Sequence, residues 1–138
     1  MAGMVCLPLP GRGQPETGTL KVEVLELDHD RGQVGILLFE ASQGFPMDRS
    51  QAVREVMVLI ENGQVHHAFS GLPYGHYAVS VMHDENGNNR LDTNLLGIPK
   101  EGYGVSNDAK GTFGPPSFEK AAFAVDREQQ TIQIRMDY

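Results

Sequence analysis

One run of acidic and amide residues in this 138-residue chain has the spacing of a calcium-binding loop. Asp84, Asn86, Asn88 and Asp92 occupy positions one, three, five and nine, and Arg90 at position seven would supply its backbone carbonyl. Calcium takes oxygen ligands, and alternate side chains of a tightly wound loop point inward. The spacing therefore predicts a calcium site formed by these five residues.

The run departs from an EF-hand loop at two positions. Position six is Asn89, which tolerates positive φ less well than glycine, and position twelve is Leu95, where a bidentate glutamate is usual. A sixth oxygen must come from water or from downstream, where Glu101, Asp108 and Glu119 are candidates. With only two carboxylates among the ligands, we expect a dissociation constant of roughly 10⁻⁴ to 10⁻³ M, as in extracellular modules.

The same residue types also suit a structure without an ion. Asp and Asn side chains accept hydrogen bonds from their own backbone in Asx-turns. The sequence therefore leaves two interpretations of the 84–92 loop open, a calcium site and an Asx-turn network.

Four histidines on or beside neighbouring predicted strands provide a second candidate constellation, because imidazoles bind zinc and copper. These are His66, His67, His76 and His83. Strand alternation places His66 and His67 on opposite faces, and it separates His76 from His83 in the same way. The pattern favours surface or hydrogen-bonded histidines, and a histidine-based transition-metal protein remains the alternative.

The chain shows no catalytic constellation. None of its serines lies in a Gly-x-Ser-x-Gly elbow, and its single cysteine, Cys6, lies near the N-terminus. The net charge of −7 and the absence of a Lys/Arg cluster argue against nucleic acid and against anionic membrane surfaces as partners. No apolar run approaches the ~18 residues of a membrane span. We therefore expect a non-enzymatic binding or structural module.

The elements that must position these residues are short strands. Residues 1–18 are rich in Gly and Pro and indicate a flexible leader, so that 19–138 form a single domain. Alternation of apolar and polar residues predicts about seven antiparallel strands; these are 19–27, 33–40, 55–60, 64–70, 77–83, 119–125 and 130–136. One short helix is expected near 47–54, with Asp48 as its N-cap, and a long ordered loop at 84–118. The fold class is an all-β sandwich or barrel.

Local signals predict how some of these strands connect. The strand at 33–40 is expected to form a hairpin with 19–27, and Asn62-Gly63 is expected to join the two strands on either side of it. Tyr77 follows a Gly-containing turn, so we expect it to be buried with its hydroxyl bonded to that turn, as in a tyrosine corner. In the long loop, Tyr103, Phe113 and Phe118 suit either packing over the end of the sandwich or contact with a ligand, and packing is favoured because a loop of this length needs apolar anchors.

Several motifs together resemble the uncharacterised bacterial family called domain of unknown function 2141. They are His83-Asp84-Glu85-Asn86-Gly87-Asn88, Leu91-Asp92-Thr93-Asn94, Gly97-Ile98-Pro99, Glu101-Gly102-Tyr103-Gly104 and Phe113-Gly114-Pro115-Pro116-Ser117-Phe118-Glu119. The resemblance covers about residues 19 to 137. It implies an immunoglobulin-like or transthyretin-like sandwich and an exported, periplasmic or extracellular protein, although this sequence contains no complete signal peptide. It implies no activity and no catalytic residue.

Two functional hypotheses follow from the resemblance. In the first, the loop at 84–92 and the loop at 94–118 form one surface that binds calcium, a partner protein or a glycan. In the second, the chain is a transthyretin-like hydrolase, which would require His76, His83 and Arg90 to converge with a carboxylate in one pocket. The chain ends in Arg135-Met136-Asp137-Tyr138 and lacks the Ser-bearing tail of such enzymes, which favours the first hypothesis.

Overall fold

The computed structural model describes residues 16–85, 102–111 and 114–138, and these contain eight strands and one short α-helix. The strands are β1 (Thr17–Leu25), β2 (Gln33–Phe39), β3 (Arg54–Leu59), β4 (Val65–Pro73), β5 (Gly75–Asp84), β6 (Tyr103–Val105), β7 (Phe123–Val125) and β8 (Gln129–Arg135). The helix is α1 (Phe118–Ala121). No helix in the described ranges is long and apolar enough to cross a membrane.

The strands form two sheets. One sheet has the order β4-β1-β8, and the other has the order β3-β2-β5-β6, with β7 also paired to β5. All pairs are antiparallel except β1 and β8, which run parallel. The predicted all-β sandwich is confirmed.

The core lies between the sheets, and alternation along each strand supplies it. In β1 the inward row is Leu20, Val22 and Val24, each fully buried, while the residues between them are more exposed. The same core cluster contains inward rows from β2 and β5 of the other sheet. Burial of one such aliphatic side chain contributes about 1.5–3 kcal/mol. The facing rows from the two sheets therefore account for much of the driving force for folding.

The outer face of the β2-β5 sheet is also covered. Leu37, Phe39 and Met82 lie on that face, and Phe45 and Phe118 pack against them. The Phe45 ring meets Phe39 edge-on at 5.3 Å and Phe118 at 6.0 Å. This second layer explains why β2 and β5 are buried on both faces. Phe118 is packed against apolar residues as expected, but it covers the outer face of this sheet and not the end of the sandwich. Tyr103 packs nearby, and Phe113 lies outside the described residues.

Both predicted hairpins were wrong in their strand pairing. β1 and β2 belong to different sheets, so their inward rows face each other across the core and do not lie side by side. Asn62 and Gly63 form the expected tight turn with φ of 53° and 73°, closed by a bridge from Glu61 to Gln64. Beyond that bridge, β3 and β4 enter opposite sheets. Alternation shows which face of a strand is buried, but it does not identify the neighbouring strand.

The helical regions differ from expectation in extent and place. The helix expected near 47–54 is a single 3-10 turn, Arg49–Gln51, in which Asp48 accepts the Ser50 N–H as the predicted N-cap. The strand expected at 119–125 begins instead as α1, with Ser117 accepting the Lys120 N–H, and becomes β7 only from Phe123. The stretch predicted as loop contains β6 and a 3-10 turn, Ser106–Asp108.

Tyr77 has the environment predicted for it. Its side chain is buried, and its hydroxyl donates to the Pro73 carbonyl at 2.6 Å, across the turn that precedes β5. Burial, assisted by the negative charge of Glu40, raises the pKa of the Tyr77 hydroxyl. The phenolate is therefore less favourable in the folded protein than in the unfolded chain.

We expect the free energy of unfolding to fall as the pH rises above about 10, the ordinary pKa of tyrosine. In that range unfolded Tyr77 has lost its proton while folded Tyr77 retains it, so the unfolded state binds fewer protons and gains stability relative to the folded state. Urea denaturation between pH 8 and about 11 tests this in wild type and in Tyr77→Phe. The phenylalanine variant should show a shallower decline, and identical slopes would contradict the assignment.

Candidate functional site

The end of the sandwich at which β5 terminates gathers side chains capable of polar chemistry. The register pairs Gln33, the first residue of β2, with Asp84, the last residue of β5. The turn that precedes β2 must therefore lie against the last residues of β5. Gly32 has a φ of +79°, and a Cβ at this position would collide with the Asp84 carbonyl oxygen. Glycine at this point allows the turn to approach β5 closely.

His83 continues the inward row of β5 and is fully buried. Its Nε2 lies 2.7 Å from the Arg31 carbonyl oxygen, and its Nδ1 lies 2.6 Å from the Tyr138 hydroxyl. Because a carbonyl can only accept, the hydrogen-bond pattern assigns the ring proton to Nε2 and makes Nδ1 the acceptor from Tyr138. The Tyr138 hydroxyl accepts in turn from the Asp28 N–H at 3.0 Å.

A second histidine, His29, lies beside the first. The two ring centroids are 4.7 Å apart. The Nε2 of His29 contacts Glu85 Oε1 at 2.7 Å, and its Nδ1 accepts from the Arg31 N–H at 3.1 Å. One ligand atom from each of His29, His83 and Glu85 lies within 4.8 Å of the others. Within residues 16–85, 102–111 and 114–138, these are three His, Cys, Asp or Glu side chains that lie close enough together to be able to hold a metal ion.

Asp84, the first residue of the predicted calcium loop, is fully buried at the end of β5. Gln33 donates from Nε2 to Asp84 Oδ2 at 3.1 Å. Because side chains alternate along a strand, Asp84 points to the face opposite to that of His83 and Glu85. The other four predicted ligands, Asn86, Asn88, Arg90 and Asp92, lie outside the described residues.

The candidates for a sixth calcium ligand have other surroundings. Asp108 accepts from the Arg135 backbone N–H at 3.0 Å and from its guanidinium at 3.2 Å. Glu119 is exposed in the first turn of α1, and Glu101 lies outside the described residues. The Asp108 carboxylate therefore serves to hold β8 and the 3-10 turn together.

The four histidines singled out from the sequence do not converge. His66 and His67 lie on β4, in the sheet opposite β5, whereas His76 and His83 lie on β5. His76 and His83 are separated by seven residues of extended strand, about 23 Å at 3.3 Å per residue. The pocket required by the hydrolase hypothesis would need those two together, and Arg90 lies outside the described residues.

Sequence reasoning missed His29 and Glu85. His29 lies in a turn, where periodicity gives no information about its direction. A signal for Glu85 was available: His83 and Glu85 are two residues apart at the end of a strand and therefore point to the same side.

These observations define a small all-β sandwich that carries a histidine–carboxylate cluster at the end of a central strand. The chain belongs to the family described as "Uncharacterized protein conserved in bacteria (DUF2141)", whose model matches residues 22–133. The resemblance drawn from the sequence motifs is thus confirmed. No curated protein and no solved structure matches the chain.

Proposed function

We propose that the chain is a non-enzymatic, extracytoplasmic β-sandwich module that binds calcium at the end of β5. The calcium ligands would be those predicted from the spacing, beginning with Asp84. The bound ion would order a surface for a partner protein or a glycan. The observation that supports this proposal is the complete burial of the Asp84 carboxylate where β5 enters the Asp/Asn-rich run.

A buried carboxylate is a costly group unless charge and hydrogen bonds compensate it. The Gln33 amide supplies one hydrogen bond to the Asp84 carboxylate. A calcium ion on the same carboxylate would supply positive charge. Because Asp84 is the last residue of a central strand, it would offer that ion a rigid first ligand, and the loop residues would close around it.

The expected affinity supports a location outside the cytoplasm. Calcium sites with few carboxylates bind with dissociation constants of roughly 10⁻⁴ to 10⁻³ M, and such sites are filled where calcium is abundant. The family resemblance points in the same direction, because it implies an exported protein.

The test is a thermal melting series in EGTA and in excess calcium. At a calcium concentration ten times the dissociation constant, linkage gives wild type about 1.4 kcal/mol of added stability. Asp84→Asn and Asp92→Asn should lose this gain, because each removes one of the two charged ligands. Asp126→Asn is the matched control, since Asp126 is an exposed residue between β7 and β8 whose carboxylate bonds the neighbouring Arg127.

Two results would contradict the proposal. One is a wild-type melting temperature that is the same in EGTA and in calcium. The other is an undiminished calcium gain in Asp92→Asn, which would mean that the loop is an Asx-turn network. The same melting series with magnesium in place of calcium tests selectivity. Magnesium should stabilise the protein less than calcium, because magnesium dehydrates reluctantly and demands octahedral geometry.

A further inference from the structure

We infer that His29, His83 and Glu85 form a second metal site, selective for a divalent transition metal of the zinc type. The inference goes beyond the proposed function, because this site uses none of the five predicted calcium ligands, although Glu85 lies in the same 84–92 loop. Its ligands come from the turn before β2 and from the end of β5. It stands on three observations: the convergence of ligand atoms, the chemistry of those atoms, and the hydrogen bonds behind them.

The ligand atoms are nearly close enough to share an ion. In a tetrahedral zinc site, bonds of 2.0–2.1 Å place neighbouring ligand atoms about 3.3 Å apart. The His29 and Glu85 atoms are already 2.7 Å apart, and all three ligand atoms lie within 4.8 Å. An ion between them would replace the proton that His29 and Glu85 now share, and side-chain rotations would bring in the third ligand.

The donor set discriminates among metals. Calcium and magnesium prefer oxygen ligands, whereas imidazole nitrogen suits zinc, copper and nickel. Two imidazoles with one carboxylate match a known zinc ligand set that leaves a fourth position open to water. The side chains of His29 and Glu85 are 20% and 28% exposed, so an ion could enter from solvent, while His83 anchors the site from within the core.

The contacts behind the ligands favour His83 as a ligand through one particular nitrogen. Metal-binding histidines usually donate their other ring N–H to a carbonyl or carboxylate, which orients the ring. The Nε2–H of His83 already donates to the Arg31 carbonyl, so its Nδ1 carries the available lone pair. The competing contact is the Tyr138 hydroxyl, whose oxygen occupies that lone pair at 2.6 Å, so the exposed Tyr138 side chain would have to swing aside for an ion to bind.

His29 requires a shift of one proton within its ring. Its Nδ1 now accepts from the Arg31 N–H, and its Nε2 carries the proton that faces Glu85. Binding through Nε2 moves that proton to Nδ1 and breaks the bond from Arg31, so no proton is released overall. The bond that is lost is a neutral, exposed one and is weak beside a metal–imidazole bond.

The experiment is a titration of the full chain, stripped of metal with EDTA and exchanged into chelator-free buffer, with Co²⁺ as the probe. Cobalt bound by nitrogen and oxygen absorbs in the visible range, and Zn²⁺ should displace it. We expect one equivalent to bind in wild type. Loss of an outer-shell contact already weakens metal sites 10–100-fold, so His29→Gln and Glu85→Gln should each weaken binding at least about 100-fold.

A matched control pair exists on the other sheet. His66 Nδ1 and Glu23 Oε2 are 3.7 Å apart and form a part-exposed His–Glu pair that belongs to no three-ligand group in the described part of the chain. His66→Gln and Glu23→Gln should leave cobalt binding unchanged. His29 and Glu85 are part-exposed, and melting in EDTA will verify that their variants fold.

Three outcomes would overturn the inference. They are the absence of cobalt absorption in wild type at millimolar cobalt, unchanged affinity in His29→Gln and Glu85→Gln, or an equal loss in the control pair. The two metal proposals fail separately. Asp92→Asn should retain cobalt binding and Glu85→Gln should retain the calcium response, whereas displacement of cobalt by calcium would show that the sites are not distinct.

Discussion

Replacing His83 with alanine in metal-free buffer is expected to lower the free energy of unfolding by about 3 kcal/mol. The ring is fully buried, so its removal leaves a cavity beside the inward row of β5. It also removes two hydrogen bonds, one to the Arg31 carbonyl and one from the Tyr138 hydroxyl. These bonds fasten both the β1–β2 turn and the last residue of the chain to β5.

Urea denaturation in EDTA measures this effect without a contribution from bound metal. Tyr138→Phe removes the hydroxyl, and with it the bonds to His83 and from the exposed Asp28 N–H, and should cost about 1 kcal/mol. His76→Ala is the matched control, because His76 is exposed at the other end of the same strand, and its change should stay within about 0.5 kcal/mol. A loss below about 1 kcal/mol in His83→Ala would mean that its hydrogen-bond network does not form in solution.

Replacing Ser106 with alanine is expected to lower the free energy of unfolding by about 2–3 kcal/mol. β5 pairs with β7 over Gly75–Tyr77 and with β6 over Ser80–Met82, which leaves an interval between these two partners. In that interval the Ser106 hydroxyl accepts the Val79 N–H at 3.0 Å. The same hydroxyl donates to the Ala121 carbonyl at 2.6 Å.

Alanine would leave the Val79 N–H and the Ala121 carbonyl without this hydrogen-bond partner. The loss is costly because the site is buried: Ser106 is 1% exposed. Denaturant titration of Ser106→Ala against Ser70→Ala provides the comparison. Ser70 is exposed on β4, so its substitution should be nearly neutral. A change below about 0.5 kcal/mol for Ser106→Ala would show that water replaces the hydroxyl in the interval.

The fold could be predicted from the sequence as far as alternation extends. The inward row of β1 was evident, because Leu20, Val22 and Val24 alternate with polar residues. Its lateral partners were not evident: β4 and β8 flank it, and β8 lies more than 100 residues away. The segment at 118–125 shows a further limit. Its first four residues form a helix because Ser117 caps them and Ala121 is buried, so a local cap and a tertiary contact together override the alternating pattern.

The candidate site was predictable only in part. The end of β5 was identified as the place where polar chemistry begins, and Asp84 lies there. His29 could not be assigned to it, because its position depends on the close approach of the β1–β2 turn to β5 at Gly32. The turn approaches β5 because Gln33 of β2 pairs with Asp84 of β5. These two strands are distant in sequence, so local patterns do not show how they pair.

The parallel pairing of β1 with β8 has a consequence for the order in which the molecule is completed. During synthesis, β1 leaves the ribosome well before its neighbour Gln129–Arg135, which lies more than 100 residues further along the chain. Until then β1 has one open edge, and the core lacks the buried side chain of Ile134. Contacts between distant segments are slow to form, because the long intervening segment must first lose conformational entropy to form a closed loop. The sheet that contains β1 is therefore completed late, and the nascent domain exposes a strand edge until β8 has paired with it.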